Sequence, residues 1–356
     1  MALRGERTSA NGQQARQPAW VALDGLGGDH APEEVVKGAA TACRELGAHV
    51  IITGPTGRIE ALLQKEDYPA ANIAVVDAPE AIGMGEHAVE AIRHKKGSSL
   101  VAAVSLVYEG RASAVISAGS TGAAMAASLL GLGRIKGVDR PAIAIPFPTE
   151  RGVTVVLDIG ANADTKPAHL AQFAVMGSIY AEKVLGIAEP KVGLLSIGEE
   201  ETKGSSLVIE AHARLKEGDL PIRFVGNVES RDIPAGTVDV VVTDGFTGNV
   251  VLKLAEGLGG AIFSTLKKEI SGGLRYKLGA ALLLPALKDL KTRLDYSEYG
   301  GAPLLGVRGV SIIAHGRSDA KAIKNAIRVA TEAVEKDLVG TIEASLNESQ
   351  RNAGKS

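Results

Sequence analysis

Cysteine occurs once, as Cys43, so the chain can close no disulfide within itself, a usage that suits a reducing compartment and a cytoplasmic protein. Aromatic residues are only 3%, which removes the stacking surface that nucleic acids need and leaves the core to Ala, Val, Leu and Ile. Neither charge prevails: 39 Lys and Arg stand against 41 Asp and Glu, and no positive field exists to hold a polynucleotide. No run of about 18 apolar residues occurs, so no membrane-spanning helix is expected. Residues 1–18 are polar and lack the apolar stretch of a secretory signal. They and residues 348–356 are expected to be disordered ends flanking one large domain over 19–347.

Familiar catalytic signatures are missing too. There is no GxxxxGK(S/T) phosphate loop, no GxSxG nucleophile elbow, no HExxH and no cysteine pair. The seven histidines are scattered, and His87 and His94, seven apart, suit solvated or capping positions. Gly25-x-Gly27-x-x-His30 approaches the dinucleotide fingerprint, but histidine replaces its last glycine. Two aspartates also flank the place of the pyrophosphate, and the next strand, HVIITG, ends without a ribose-binding carboxylate. A nicotinamide cofactor is therefore disfavoured.

What is present is alternation. Short Val/Ile-rich runs near 19–24, 49–54, 73–77, 114–117, 142–146, 153–158, 191–197, 222–226, 238–243 and 310–314 read as strands, with helical periodicity between most of them. Ser318-Asp319 caps a helix with an apolar face of Ala322, Ile323, Ala326, Ile327 and Ala330, and Pro167 suits a first turn. The pattern predicts a three-layer α/β/α fold with a mainly parallel sheet, open to two subdomains around a cleft.

In such folds ligands bind beyond the carboxyl ends of the strands. Seven predicted strand ends carry small, polar or titratable residues beside glycine. They are Asp24 with Gly27, Gly28 and Asp29; Ser117 before Gly119-Ser120-Thr121-Gly122; Asp158 before Asn162 and Asp164; the EEETKG loop with Lys203; Asn227; Asp244 before Asn249; and His315. Together they read as the rim of an enzyme site. The Ser120–Gly122 turn suits an anion, with backbone N–H groups and hydroxyls beside a helix start. From spacing alone, Lys203 is equally an anion-holding cation or a solvated surface lysine. The five aspartates Asp24, Asp29, Asp158, Asp164 and Asp244 could hold Mg²⁺ if they converged.

The segments DGLGGDHAPE, ISAGSTGA, GRIKGVDRPA, LDIGANADTKPAHLAQFAVMGS, GLLSIGEEETKG, GNVESRD, DGFTGNVVLK, LDYSEYGGAPLLG and AHGRSDAKA occur in this order over residues 21 to about 330. In them the chain resembles the acyl-(acyl carrier protein)–phosphate acyltransferases, the PlsX family of bacterial phospholipid synthesis. Two departures stand out. The family's Asp-Ala-Met-Gly-Gly-Asp reads Asp24-Gly25-Leu26-Gly27-Gly28-Asp29 here, and its Gly-Asn-Thr-Gly reads Gly119-Ser120-Thr121-Gly122.

The resemblance implies reversible transfer of a long-chain acyl group from acyl carrier protein to inorganic phosphate, giving acyl phosphate. It implies a fold like that of phosphate acetyltransferase and isopropylmalate dehydrogenase, a homodimer, no metal and no organic cofactor. A membrane glycerol-3-phosphate acyltransferase would use the product downstream. Lys203 and the N–H groups of Ser120, Thr121 and Gly122 are then expected to hold the phosphate or the developing oxyanion. Asn162, Asn249 and His315 are candidate donors, and Asp24, Gly27, Gly28, Asp29, Asp158, Asp164 and Asp244 shape the cleft. The rival activities are a phosphate acetyl- or butyryltransferase acting on coenzyme A thioesters and a non-catalytic membrane scaffold.

Two surfaces invite partners. In the helical subregion 248–300, Leu283, Leu287, Leu290 and Leu294 recur on one face, with Arg275, Lys277, Lys288, Lys291 and Arg293 beside them and Pro285 within. The stretch 274–294 suits the inner membrane surface, a dimer partner or the core. Arg134, Lys136 and Arg140 form a basic cluster that could meet an acidic carrier protein, or be a solvated loop.

Overall fold

The computed structural model describes residues 18–294 and 296–353; residues 1–17, 295 and 354–356 lie outside it, and with them most of the expected tails. In chain order, β1 (Trp20–Asp24), α1 (Glu33–Leu46), β2 (His49–Gly54), α2 (Thr56–Leu63), β3 (Ile73–Asp77), α3 (Ala88–His94), α4 (Ser99–Tyr108), β4 (Ala114–Ser117) and α5 (Thr121–Gly131) form a first unit. Then come β5 (Ala142–Thr149), β6 (Gly152–Leu157), α6 (Pro167–Lys183), β7 (Lys191–Leu195), α7 (Ser206–Glu217), β8 (Arg223–Val228), α8 (Asp232–Ala235), β9 (Val240–Val242), α9 (Gly245–Ser271) and α10 (Leu274–Leu294). The chain returns through β10 (Ala302–Leu305), β11 (Val310–Ile313), α11 (Ala320–Glu335) and α12 (Leu338–Ala353). Residues 348–353, expected to be a tail, are thus the last turns of α12.

The eleven strands order as β3-β2-β1-β4-β11-β10-β5-β6-β9-β7-β8. All pairings are parallel except β11–β10, β10–β5 and β5–β6. Three reversals in succession turn β6, β9, β7 and β8 opposite in direction to β1–β4 and β11. Strand β10 makes the junction. Its Ala302 pairs with Ile313 at the end of β11, and its Leu305 with Ala142 at the start of β5; Ala144 in turn opposes Leu157 at the end of β6. Across β10 and β5, the carboxyl edge of one parallel set meets the carboxyl edge of the other.

Period-two patterning sends side chains to both sheet faces. Val21, Leu23, Val50, Ile52, Val155, Leu157, Val192 and Leu194 share one core with α1, α6, α7, α11 and α12. Opposite it, Ala22, Ile51 and Val115 pack beneath α4 and α5, while Ile143, Ile145, Val156 and Val241 pack beneath α5, α8 and α9. Caps follow the residue types. Asp319 accepts the Ala322 N–H at 2.9 Å to start α11, and Pro167 opens α6. Cys43 is buried in α1, where desolvation pushes its thiol up to about 12, the behaviour of a core residue.

Helices α1 and α11 pack through Gly38. A Cβ there would lie 2.6 Å from Ile323 Cβ and 2.8 Å from the Ala320 carbonyl oxygen. Gly38→Ala is therefore expected to destabilise the fold by about 1–3 kcal/mol through overpacking. The check is a lowered denaturation midpoint at unchanged slope; an unmoved midpoint would refute the close contact.

Candidate active site

Two buried carboxylates organise the facing loops. Asp24 ends β1 between β2 and β4, and its Oδ1 accepts the Ser99 hydroxyl at 2.5 Å and the Leu26 N–H at 3.3 Å. Its Oδ2 accepts the Ser117 hydroxyl at 2.7 Å, and Ser117 Oγ in turn accepts the Gly119 N–H at 3.1 Å. Asp24 thereby sets the backbone of the glycine turn that starts α5. A Cβ on Gly27 would lie 2.6 Å from Asp24 Oδ2 and 2.8 Å from Gly119 N, so only glycine lets the two loops touch. Gly28, at φ +114°, carries the chain on to Asp29, whose N–H donates to the Gly316 carbonyl at 2.7 Å.

Asp158 does the same after β6. It accepts the N–H groups of Ile143, Gly160, Ala161 and Asn162 at 2.7–3.2 Å and the Asn162 amide at 2.8 Å. The Asn162 amide gives its second hydrogen to the Pro141 carbonyl at 2.7 Å. Both hydrogens are therefore committed to the loop, and Asn162 acts here as a brace rather than as a donor to a ligand. Asp244 caps α9, accepting the Thr247 N–H at 2.9 Å and hydroxyl at 2.7 Å. A Cβ on Gly245 would lie 2.6 Å from the Asn162 carbonyl oxygen and 2.7 Å from Asp158 Oδ2, which seats the start of α9 on the Asp158 loop. Asp164 is exposed.

Between these anchored loops lies a cavity of ≈ 130 Å³. Thr121, Asn249 and His315 give it a polar rim, and Ile143, Ile145, Ile159, Leu252 and Ile313 an apolar wall. The rim draws on both halves, through the first residue of α5, the first turns of α9 and the loop after β11. His315 Nδ1 accepts the Arg317 N–H at 3.2 Å, which leaves Nε2 as the ring's proton-bearing nitrogen. Ser120 Oγ caps α5 by accepting the Ala123 N–H at 3.4 Å.

Lys203 is not among the residues lining this cavity. It is exposed on the loop after β7, with its N–H on the Glu200 carbonyl at 3.0 Å and its own carbonyl accepting the Ser196 hydroxyl at 3.0 Å. Buried His212 and Asn227, 2.9 Å apart, steady that loop, since the Asn227 amide donates to the Glu200 carbonyl at 2.9 Å. The five aspartates do not assemble, and among the described residues no three of His, Cys, Asp or Glu gather as metal ligands. Sequence reasoning passed over Lys253 and Glu256, which line the cavity, although their spacing from Asn249 is helical. It also passed over Ser99, 75 positions from Asp24, for which no local signal exists.

The family described as "Fatty acid synthesis protein" matches residues 19–340. The chain belongs to this family. Among its relatives, a phosphate acyltransferase of Pelotomaculum thermopropionicum is 55% identical over 326 residues, covering 92% of this chain and 94% of that one. A phosphate acyltransferase of Heliobacterium modesticaldum is 55% identical over 324 residues, covering 91% and 96%. Among solved structures, a phosphotransacetylase from Streptococcus pyogenes superposes with a TM-score of 0.63 at 20% identity, over 89% of this chain and 94% of that one. EutD phosphotransacetylase from Staphylococcus aureus does so at 0.61 and 18%, with the same coverage. At those identities the structures establish the fold of this fatty acid synthesis protein family member, and the fold agrees with the α/β/α expectation.

Desolvation pushes the Asp24 carboxyl above the usual carboxylate range, outweighing its hydrogen bonds from Ser99, Ser117, Leu26 and Gly27. The folded protein then keeps this proton to higher pH than the unfolded chain. The Asp24 contribution to stability declines as pH rises from the ordinary carboxylate range to the raised value, and is constant above it. Asp24→Asn cannot titrate. The melting temperature of the wild type minus that of Asp24→Asn is expected to fall as pH rises above about 4, the ordinary carboxylate value; a flat or rising difference would count against the buried charge.

Proposed function

We propose that this family member transfers a long-chain acyl group from acyl carrier protein to inorganic phosphate. The observation that carries the reading is the cavity, with polar donors from both halves along one edge and isoleucines along the other. A thioester needs both: donors at its carbonyl and an apolar surface for its chain. The relatives at 55% identity, named phosphate acyltransferases, support the acceptor.

In the reaction an oxygen of hydrogen phosphate attacks the thioester carbonyl carbon. The new C–O bond forms, the C–S bond breaks, and the proton of hydrogen phosphate ends on the departing sulfur. Acyl phosphate and free carrier thiol result. Phosphate is itself the nucleophile, so catalysis falls to orientation and charge stabilisation. The N–H groups of Thr121 and Gly122 at the start of α5, with its dipole, suit the anion, while Ser120 fixes the turn as its cap. Asn249 and His315 Nε2 serve as donors to the carbonyl oxygen or the leaving sulfur. Lys203, outside the cavity, adds to the field that draws phosphate and an acidic carrier protein. Arg134, Lys136 and Arg140 extend that field, and Arg134 is held by the Asp139 carbonyl.

Purified protein is expected to release thiol from palmitoyl-acyl carrier protein only when phosphate is present, and more slowly from palmitoyl-coenzyme A. Faster release from the coenzyme A thioester would favour the phosphate acetyl- or butyryltransferase reading. Absence of release from either would leave the non-catalytic scaffold.

The exposed apolar residues of α9 and α10 support a reading of the assembly. On α9, Phe246, Val250, Leu254, Leu258, Ile262 and Leu266 are exposed at intervals of four. On α10, Leu278, Leu282, Leu283 and Leu284 are exposed, Leu282 to 85%, and Leu287 is partly covered. The side chains of Leu290, Lys291, Arg293 and Leu294, which complete the expected stripe and its basic flank, lie outside the described residues. No described helix is long and apolar enough to cross a membrane. A monomer rarely leaves so much apolar surface in water. We assign the α9 stripe to a second copy in a homodimer, and α10 to a membrane surface where a glycerol-3-phosphate acyltransferase takes up the acyl phosphate. Leu258→Asp is expected to shift the protein toward monomer in sedimentation, and Leu282→Glu to lower flotation with anionic vesicles while leaving the dimer intact. An unchanged dimer in the first or unchanged flotation in the second would overturn the corresponding assignment.

A further inference from the structure

The cavity contains a cation, Lys253, the last residue of the segment DGFTGNVVLK. Asn249, Leu252, Lys253 and Glu256 stand at helical offsets of three, four and seven, so they share one face of α9, and all four line the cavity. Among the described lining residues, Lys253 is the one lysine or arginine. Its Nζ lies 3.0 Å from Glu256 Oε2, with the lysine side chain 60% and the glutamate 25% exposed. A glutamate at the edge of an isoleucine wall is costly as a bare charge, and the lysine neutralises it.

We propose that Lys253 is a catalytic residue that binds the phosphate dianion, with Glu256 as its partner when phosphate is absent. The assignment rests on reading the cavity as the phosphate and thioester site. An ion pair between neighbours on an exposed helix turn is weak and exchangeable. A dianion held by the N–H groups of Thr121 and Gly122 offers the ammonium a stronger partner within the same cavity. The ammonium has three donors, so it reaches phosphate while still contacting Glu256, and positive charge meets the attacking group without leaving a bare carboxylate beside it. No proton and no covalent bond change hands in this step. The spacing also sets Lys253 one helical turn beyond Asn249, so the cation and the amide approach a ligand from the same side. Lys203 is exposed on the loop after β7 and does not line the cavity.

The test is phosphate binding by the full chain, measured calorimetrically with inorganic phosphate and no acyl substrate, alongside steady-state kinetics. Loss of a charged hydrogen bond predicts that Lys253→Gln weakens phosphate binding by about ten- to a hundred-fold. It should raise KM for phosphate in parallel and leave KM for palmitoyl-acyl carrier protein unchanged. Lys253→Arg should recover most of the binding, because it keeps the charge. Glu256→Gln, which releases the ammonium, should tighten it. Unaltered phosphate binding in Lys253→Gln, or no recovery in Lys253→Arg at an unchanged melting temperature, would overturn the assignment. A wild type that binds phosphate but releases no thiol would defeat the acyltransferase reading instead. The binding comparison among variants would still decide Lys253.

Discussion

Everything at the site depends on one short run of antiparallel pairing. Ala302–Leu305 lies between β11 and β5, and β5 pairs antiparallel with β6 in turn, so two sets of parallel strands with opposite directions turn their carboxyl ends toward each other. A single parallel sheet presents one edge of loops to a ligand. This arrangement presents two, and the cavity takes Thr121 and His315 from one and Ile159 and Asn249 from the other. Ile143 and Ile145, on the strand that joins the sets, floor it because the strand period puts both on one face.

The buried aspartates act at one remove from the chemistry. Asp24 and Asp158 each sit at a strand end, each pushed above the usual carboxylate range by desolvation, and each surrounded by donors. A carboxylate against a phosphate dianion would repel it. Here the carboxylates face inward and commit their lone pairs to the loops, which then turn N–H groups and side chains outward. The same division holds for Asn162 and Asn249. One amide is consumed within its loop, and the other lines the cavity.

Much of this was legible in the sequence. The strand ends at Asp24 and Ser117, the loops beginning at Asp158 and leading to His315, the cap at Asp319 and the helix start at Pro167 all follow from residue type and local period. What was not legible is long-range. The strand APLL is short and contains Pro303, so neither alternation nor propensity marks it, although the sheet is joined through it. Its pairings and the β5–β6 hairpin together decide which strand ends meet, and the order β6-β9-β7 sets the Lys203 loop two strands farther from the junction than β6, while Lys253 on α9 lines the cavity. Polarity beside glycine identifies a strand end. It carries no information about which other end lies opposite.

The position of β11 has a further consequence for synthesis on the ribosome. Residues 310–313 pair with 114–117, so the sheet of the first unit gains its last parallel strand only after the whole second unit has been made. Strand β4 must wait with one edge open while nearly two hundred residues emerge, an interval of about 10–40 s at ordinary elongation rates. An unpaired edge of that duration invites pairing with another chain. The nascent first half is therefore the stage at which a chaperone has most to protect, and the helix α11 that follows β11 seals the same face within a few residues of its arrival.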